Sequence, residues 1–355
     1  MKICTIIGAR PQFIKAGALS RILQKEHNEI LIHTGQHYDR NMSEVFFEEL
    51  DIPTPFYNLG ISGGTHAHMT GQMLMAIEDV LLAEKPQMVL VYGDANSTLA
   101  GALAAVKQHI AVCHVEAGIR IKTFISPEEV NRVLVDRISS LLFCCTHTGI
   151  NNLAKEGIVT NVHNVGDLMY DAMLYYNNKP NHSYNILSVD GKAINLPEMY
   201  YYLTCHREEN TSTDKPLYEI LSAMNMLDFP TIYPVHPRNR KRAIELCLKN
   251  NFKNIILTEP VGYKTSLFLV SQAYKIVTDS GGLQREAYFL DKQCITLLTA
   301  PPWPETLEGN INQLCKPLCS EILSKINVKP DFTKKTMQFG NGRSAEQIVS
   351  IIGQL

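Results

Sequence analysis

Carboxylates, imidazoles and guanidinium groups recur in this chain where short apolar runs end. Tyr92-Gly93-Asp94 and His114-Val115-Glu116-Ala117-Gly118 each set an acid beside a glycine as a strand-like run finishes. If the two runs are neighbouring strands, the acids converge on one rim. Two carboxyls in a desolvated cleft can hold separated pKa values and divide acid and base roles between them. Ser126-Pro127-Glu128-Glu129 adds a third acid, with Asn131 and Arg132 one turn further on. The same residues have plain structural uses as well: Asp is a good helix N-cap, and Pro-Glu-Glu also opens ordinary helices.

A second group of residues suits an anion. Gly8-Ala9-Arg10-Pro11-Gln12-Phe13-Ile14-Lys15 joins a glycine turn to a proline fit for a helix's first turn. Arg10 and Lys15 then read either as the cations of an anion-binding corner or as solvated helix charges. Neither GxGxxG nor GxxxxGK followed by Ser or Thr is present, so there is no dinucleotide fingerprint and no P-loop. Further along, Thr204 to Asn210 groups His206, Arg207 and Glu209, and Tyr233 to Arg238 repeats the idea with His236. Ser280-Gly281-Gly282 bares backbone N–H groups to a phosphate at a helix start, and Glu286 can accept ribose hydroxyl hydrogens. Cations and N–H donors in one half of the chain, with carboxylates in the other, point to a bound diphosphate whose attached group reacts at the acids.

The elements that must position these groups are legible in the hydrophobic pattern. Apolar runs at 2–7, 29–33, 88–92, 111–115, 141–145 and 162–165 read as buried strands, with helix-length amphipathic stretches at 11–26, 41–50, 67–85, 95–108 and 127–139. That alternation predicts a parallel sheet covered on both faces. From Tyr176 to Met199 the sequence turns to Asn, Pro, Ser and Gly and reads as a linker or boundary. A second alternating series follows at 200–205, 231–235, 254–258, 275–278 and 293–298, and 344–355 looks helical. The expected architecture is α/β, with two Rossmann-like domains and a cleft between them. Residues 1–175 form the carboxylate-bearing domain, 176–343 the nucleotide-binding one, and 344–355 a helix packing back on the first. In open parallel sheets ligands sit beyond the carboxyl ends of strands, which is where the candidate residues lie.

Composition bounds the partners. The chain has 355 residues and is 45% hydrophobic and 19% charged, ample for packed cores and unlike a disordered chain. A formal charge of -2 gives no global field for a polyanion, so nucleic acid and anionic membrane are excluded as partners on charge grounds. The first apolar run is too short for a signal-peptide core, and no run nears the ~20 residues of a spanning helix. A cytoplasmic protein is expected. Nine cysteines, an odd number without paired CxxC spacing, read as buried thiols in a reducing compartment and give no zinc site.

Taken in order, GARPQFIK, HTGQH, YGDANSTLAGALAA, HVEAG, PEEVNR, VGDLMYDA, HREEN, HPR and TDSGGLQREA resemble the motifs of non-hydrolysing UDP-N-acetylglucosamine 2-epimerases, from Met1 to about Gly309. GARPQFIKAG with MSEVFFEEL is most similar to the branch that includes UDP-2,3-diacetamido-glucuronate 2-epimerases. The resemblance implies a GT-B-like pair of Rossmann-like domains, a homodimer, a UDP-sugar substrate, and neither nicotinamide cofactor nor metal. It also implies a mechanism: UDP is eliminated across C1 and C2 to give a bound 2-acetamidoglycal and added back with the opposite configuration at C2, in a pathway to surface polysaccharide. Carboxylates would move the C2 proton and steady an oxocarbenium-like transition state. Carried over by position, Asp94, Glu116 and Glu128 match the family's catalytic acids and His206 its essential histidine. Arg10, Lys15, Arg132, Arg207, Glu209, His236, Ser280, Gly281, Gly282 and Glu286 fall where it holds the nucleotide sugar.

Two segments depart from the family pattern. Ile119 to Ser126 keeps only Arg120 of the usual Leu-Arg-Ser-Phe-Asn, and Leu298 to Glu305 reads LTAPPWPE where Arg-Asp-x-Thr-Glu-x-x-Glu is usual. A lost charge-assisted contact costs about 1.5–3 kcal/mol, so either the sugar differs or activity is weaker. Asp39 stands where Gln is common in members with a second, regulatory UDP-sugar site, which argues against that site here. A GT-B glycosyltransferase and a UDP-sugar-binding protein without catalysis are the competing classes.

Overall fold

The computed structural model describes residues 1–35, 47, 49–124, 126–177 and 184–355. It divides into two compact units, Met1–Tyr175 with Met337–Leu355, and Tyr176–Thr336. Each is a parallel sheet.

In the first unit the strands are β1 (Lys2–Ile7), β2 (Asn28–His33), β3 (Tyr57–Asn58), β4 (Met88–Tyr92), β5 (Ala111–Val115), β6 (Leu141–Cys144) and β7 (Val162–Asn164), in the order β3-β2-β1-β4-β5-β6-β7. Chain order reverses between β1 and β4, the switch point at which open α/β sheets open a crevice. Strands β4 and β5 are buried along almost their whole length, which is why they read as unbroken apolar runs. Their side chains pack under small-residue helices. The helix Asn96–Lys107 approaches so closely that a Cβ on Gly101 would lie 2.5 Å from Ile6 Cδ1. Each fully buried Val, Leu or Ile contributes about 1.5–3 kcal/mol, so this packing is the dominant local term.

The second unit holds β8 (Tyr201–Thr204), β9 (Thr231–Pro234), β10 (Ile255–Thr258), β11 (Lys275–Thr278), β12 (Cys294–Thr296) and β13 (Asn312–Leu314), ordered β10-β9-β8-β11-β12-β13. Its switch point lies between β8 and β11, where Thr204 pairs with Thr278. The expected strands agree with these to within two residues. The two-residue β3 and the short β13 are additions that hydrophobic pattern does not reveal.

Two expectations about boundaries are sharpened. Residues 184–199 are more than a tether: Ile186 is buried, Tyr184 stacks on Phe268 with ring centroids 4.0 Å apart, and Ser188 bridges to Thr258. At the other end the chain rejoins the first unit from Met337, seven residues before the helix Ser344–Ile352. Asp167 donates its backbone N–H to the Phe339 carbonyl at 2.9 Å, the Asp171 carboxylate accepts the Ala345 N–H at 2.8 Å, and the final helix packs on Arg10–Glu26. Among the described residues no helix is long and apolar enough to cross a membrane. All nine cysteines are free, and burial pushes the thiols of Cys4, Cys144, Cys294 and Cys315 up to about 12.

Candidate functional site

The carboxylates of the first unit lie at adjacent strand ends. Tyr92 pairs with Val115, so the turns leaving β4 and β5 run side by side, and the Gly93 N–H donates to the Val115 carbonyl at 2.9 Å. Both turns enter left-handed backbone: Gly93 has φ 61°, Glu116 φ 74° and Gly118 φ 80°. Glycine takes that conformation freely, whereas Glu does not, and such strain persists only where surroundings over-determine it. Here the Glu116 and Ala117 N–H groups both donate to the Phe143 carbonyl at 3.0 Å, and a Cβ on Gly118 would lie 2.4 Å from the Gly149 carbonyl oxygen.

Glu116 is 8% exposed and forms an ion pair with the ammonium of Lys15, which is 4% exposed. Lys15 lies a turn and a half into the helix Arg10–Glu26 and faces this acid. The turn's own donors are spent as well: the N–H groups of Gly8 and Ala9 donate to Gln12 Oε1 at 2.7 and 2.8 Å, while Gln12 Nε2 donates to the Tyr92 carbonyl. Arg10 is partly exposed. Glu116 also shares a buried pocket of side chains with Cys145 and Asp167, their ligand-type atoms within 4.8 Å of one another; Lys15 already supplies Glu116 with a cation.

Asp94 is partly exposed and held by Arg132, whose other side meets Glu129 at 2.7 Å. Asn131 Nδ2 donates to the Asp94 carbonyl at 2.8 Å, so the helix Pro127–Ile138 fixes both main chain and side chain of Asp94. Burial would lower the Arg132 pKa, but the charges and hydrogen bonds of Asp94 and Glu129 outweigh it and raise it. Arg132 therefore binds two protein carboxylates. Of the Pro-Glu-Glu pair, Glu128 is exposed and accepts from Ser126 Oγ, whereas Glu129 is buried and accepts the N–H groups of Ile121 and Lys122. Glu129 thus staples the divergent 119–124 segment, a task its sequence position beside Glu128 does not reveal. Gln36, His37 and Asp39 lie outside the described residues.

In the second unit one buried acid organises the site. Asp279, fully buried just after β11, accepts the N–H groups of His206 and Arg207, each at 2.9 Å, and Asn210 Nδ2 at 3.1 Å, and pairs with His206 Nδ1 at 3.0 Å. Burial alone would raise its pKa; the hydrogen bond and charge of His206, with the Arg207 N–H and Asn210, outweigh that and hold it at about 2. The Asp279 carboxylate fixes the proton on Nδ1, so His206, on an exposed face, presents Nε2 outward. His236 lies beside it, ring centroids 6.3 Å apart, and Arg207 and Glu209 are exposed and 3.5 Å from one another. Ser280 caps the helix Gly281–Phe289 by accepting the Leu283 N–H, leaving the first-turn N–H groups of Gly281 and Gly282 without partners inside the helix. Glu286 is buried on that helix. In the divergent 298–305 stretch, Trp303 is buried with the Arg285 guanidinium stacked over its ring at 4.0 Å.

So the first unit carries strained, paired carboxylates and the second an oriented imidazole beside an open helix N-terminus. The family model for UDP-N-acetylglucosamine 2-epimerase matches residues 21–353. The chain is 46% identical to a UDP-N-acetylglucosamine 2-epimerase homolog of Methanococcus maripaludis, and 42% identical to the UDP-2,3-diacetamido-2,3-dideoxy-D-glucuronate 2-epimerase of Pseudomonas aeruginosa; both matches cover all of each chain. The crystal structure of the Methanocaldococcus jannaschii UDP-GlcNAc 2-epimerase, in complex with UDP-GlcNAc and UDP, is similar with a TM-score of 0.87 at 39% identity over the whole of both chains, so the GT-B-like class of two Rossmann-like units is shared. This chain belongs to the UDP-N-acetylglucosamine 2-epimerase family and is an enzyme of the isomerase class.

Proposed function

We propose that the enzyme inverts C2 of a UDP-linked N-acetyl amino sugar, of the UDP-GlcNAc to UDP-ManNAc type, by elimination and re-addition of UDP. The observation that carries this reading is the pair of acids on adjacent strand ends, Asp94 and Glu116, each held by a cation on its own unit. A C2–H bond with no neighbouring carbonyl is a poor acid, so its proton leaves only as the C1–O bond to UDP breaks and the C1–C2 double bond forms. The return step rebuilds the C1–O bond and delivers a proton to the other face of C2. Two separate proton carriers are needed, and three acids are available in Asp94, Glu116 and Glu128. Negative charge gathers on the departing diphosphate, which suits His206, Arg207, His236 and the Gly281-Gly282 N–H groups, with Glu286 for the ribose and Arg10 as a further cation.

The test is solvent exchange. Incubated with UDP-GlcNAc in deuterated water, the enzyme is expected to place deuterium at C2 of both the starting sugar and a manno product, read by NMR; neither deuterium nor a second epimer would overturn the reading. A second reading concerns the sugar alone. Arg285 stacked on Trp303 fills the segment where the family pattern carries a further guanidinium and carboxylate, and the Pseudomonas aeruginosa relative is named for a diacetamido uronate. On this reading UDP-2,3-diacetamido-glucuronate turns over faster than UDP-GlcNAc. A cytoplasmic homodimer supplying surface polysaccharide precursors is consistent with either sugar.

A further inference from the structure

Behind the two acid turns lies a network centred on two buried side chains, His114 and Asp136, that the chemistry above does not use. His114, on β5 two residues before Glu116, is wholly buried. Its Nε2 is 2.7 Å from the Gly93 carbonyl oxygen, in the peptide that leads into Asp94. A carbonyl only accepts, so Nε2 carries hydrogen. Its Nδ1 is 2.7 Å from Asp136 Oδ1 on the helix Pro127–Ile138. The other oxygen of Asp136 accepts the Gly118 N–H at 3.1 Å and Arg120 Nη1 at 2.7 Å. Arg120 in turn forks onto Glu156 with bonds of 2.7 and 2.9 Å and donates to the Ile119 carbonyl.

His114, Gly118 and Arg120 all meet the Asp136 carboxylate, and burial, which would raise its pKa, is outweighed by His114 and Arg120, which lower it. Through Asp136 the imidazole is joined to the Arg120–Glu156 pair, while its Nε2 reaches the Gly93 carbonyl. A buried charge is tolerable only when paired and hydrogen-bonded in this way.

We propose that His114 is a positioning residue, a strut that ties the Gly93-Asp94 turn to the Glu116-Gly118 turn and fixes the separation of the two acids. One end grips the peptide before Asp94. The other end, through Asp136, grips the N–H two residues beyond Glu116. The strut explains why a non-glycine residue stays at φ 74° beside two left-handed glycines. Loss of it lets the turns drift, and a misplacement of about 1 Å at a reacting group costs about 100-fold in rate.

The kinetic part of this inference rests on the epimerase reading; the geometric part does not, and the experiment separates them. In the full-length protein, ¹⁵N NMR of the His114 ring is expected to show hydrogen on Nε2, facing the Gly93 carbonyl. A bare Nε2 overturns the strut, whatever the enzyme's activity. Among variants, His114→Leu is expected to lose about 100-fold in kcat with UDP affinity, read by calorimetry, within about 2-fold. His114→Gln keeps an N–H donor near the Nε2 position and is expected to recover at least about 10-fold of that loss. His114→Leu with unchanged kcat, or equal losses in both variants at equal melting temperature, would overturn the strut. A wild-type enzyme inactive on every UDP-sugar would instead sink the epimerase reading and leave the NMR result to decide this one.

Discussion

The two units present chemistry at the same place, the strand ends flanking a switch point, yet they build it in opposite ways. In the first, the reacting-type group is itself buried: Glu116 sits in left-handed backbone, paired with Lys15, its turn tied by hydrogen bonds on both sides. In the second, the anchor is buried and the working groups are exposed. Asp279 collects two backbone N–H groups, an amide and an imidazole, while His206, Arg207 and Glu209 remain open to solvent. The contrast suits the tasks proposed. Proton transfer at carbon demands placement and exclusion of water, whereas holding a diphosphate demands reachable donors.

The strongest way to break this comparison is Glu116→Gln. It removes a proposed proton carrier, expected to lower kcat by about 10²–10⁴-fold, and strands the Lys15 ammonium, expected to cost about 3–5 kcal/mol in urea unfolding. Adding Lys15→Met to Glu116→Gln should restore much of the stability and none of the activity. Stability unchanged in the single variant would show that the buried pair does not act as described.

Asp279→Asn probes the other unit and should act mainly on orientation. The expected loss is about 10–100-fold in kcat with a smaller effect on folding. The pH dependence carries a definite sign. The Asp279 carboxyl is held at about 2 against an ordinary 3.8, below its unfolded value. Its stabilisation, about 2 kcal/mol, is therefore fully present above about pH 4 and is lost as pH falls through about 2. The gap in unfolding free energy between parent and variant should narrow over that window; a gap constant from pH 5 to pH 2 would contradict it.

The smallest effect sharpens what holds the acid turn. Gly118→Ala combines φ 80° with a Cβ 2.4 Å from the Gly149 oxygen, while Gly157→Ala has φ 77° in open space. Thermal unfolding should place Gly157→Ala at about 1 kcal/mol and Gly118→Ala about 1–2 kcal/mol beyond it. Equal costs would mean that close packing adds nothing to the turn.

How much of the site could be read from the chain varies by residue. Asp94, Glu116 and the Ser280-Gly281-Gly282 turn stood out because buried parallel strands read as continuous apolar runs, and a polar residue beside glycine at the end of one is conspicuous. Asp279 was within reach, since it sits between such a run and a helix-opening Ser-Gly-Gly, but nothing local says that it receives the N–H groups of residues 206 and 207. Asp136 and Glu156 were not legible at all. Asp136 is one of three acids on its amphipathic helix, Glu156 stands just past the end of another, and their partners are 22 and 36 residues away in sequence. The Lys15–Glu116 pair escapes the sequence for the same reason: spacing along a helix gives the turn on which Lys15 lies, not which neighbour fills the space beside it.

By itself the sequence determined the local terms: which runs are buried strands, where left-handed turns require glycine, and which residue types stand at strand ends, because each depends on a few consecutive residues and their periodicity. Only the tertiary structure decided the pairings. Lys15 with Glu116, Arg132 with Asp94 and His114 with Asp136 each join side chains from different elements, and such a meeting is set by the packing of whole elements, not by any stretch of chain.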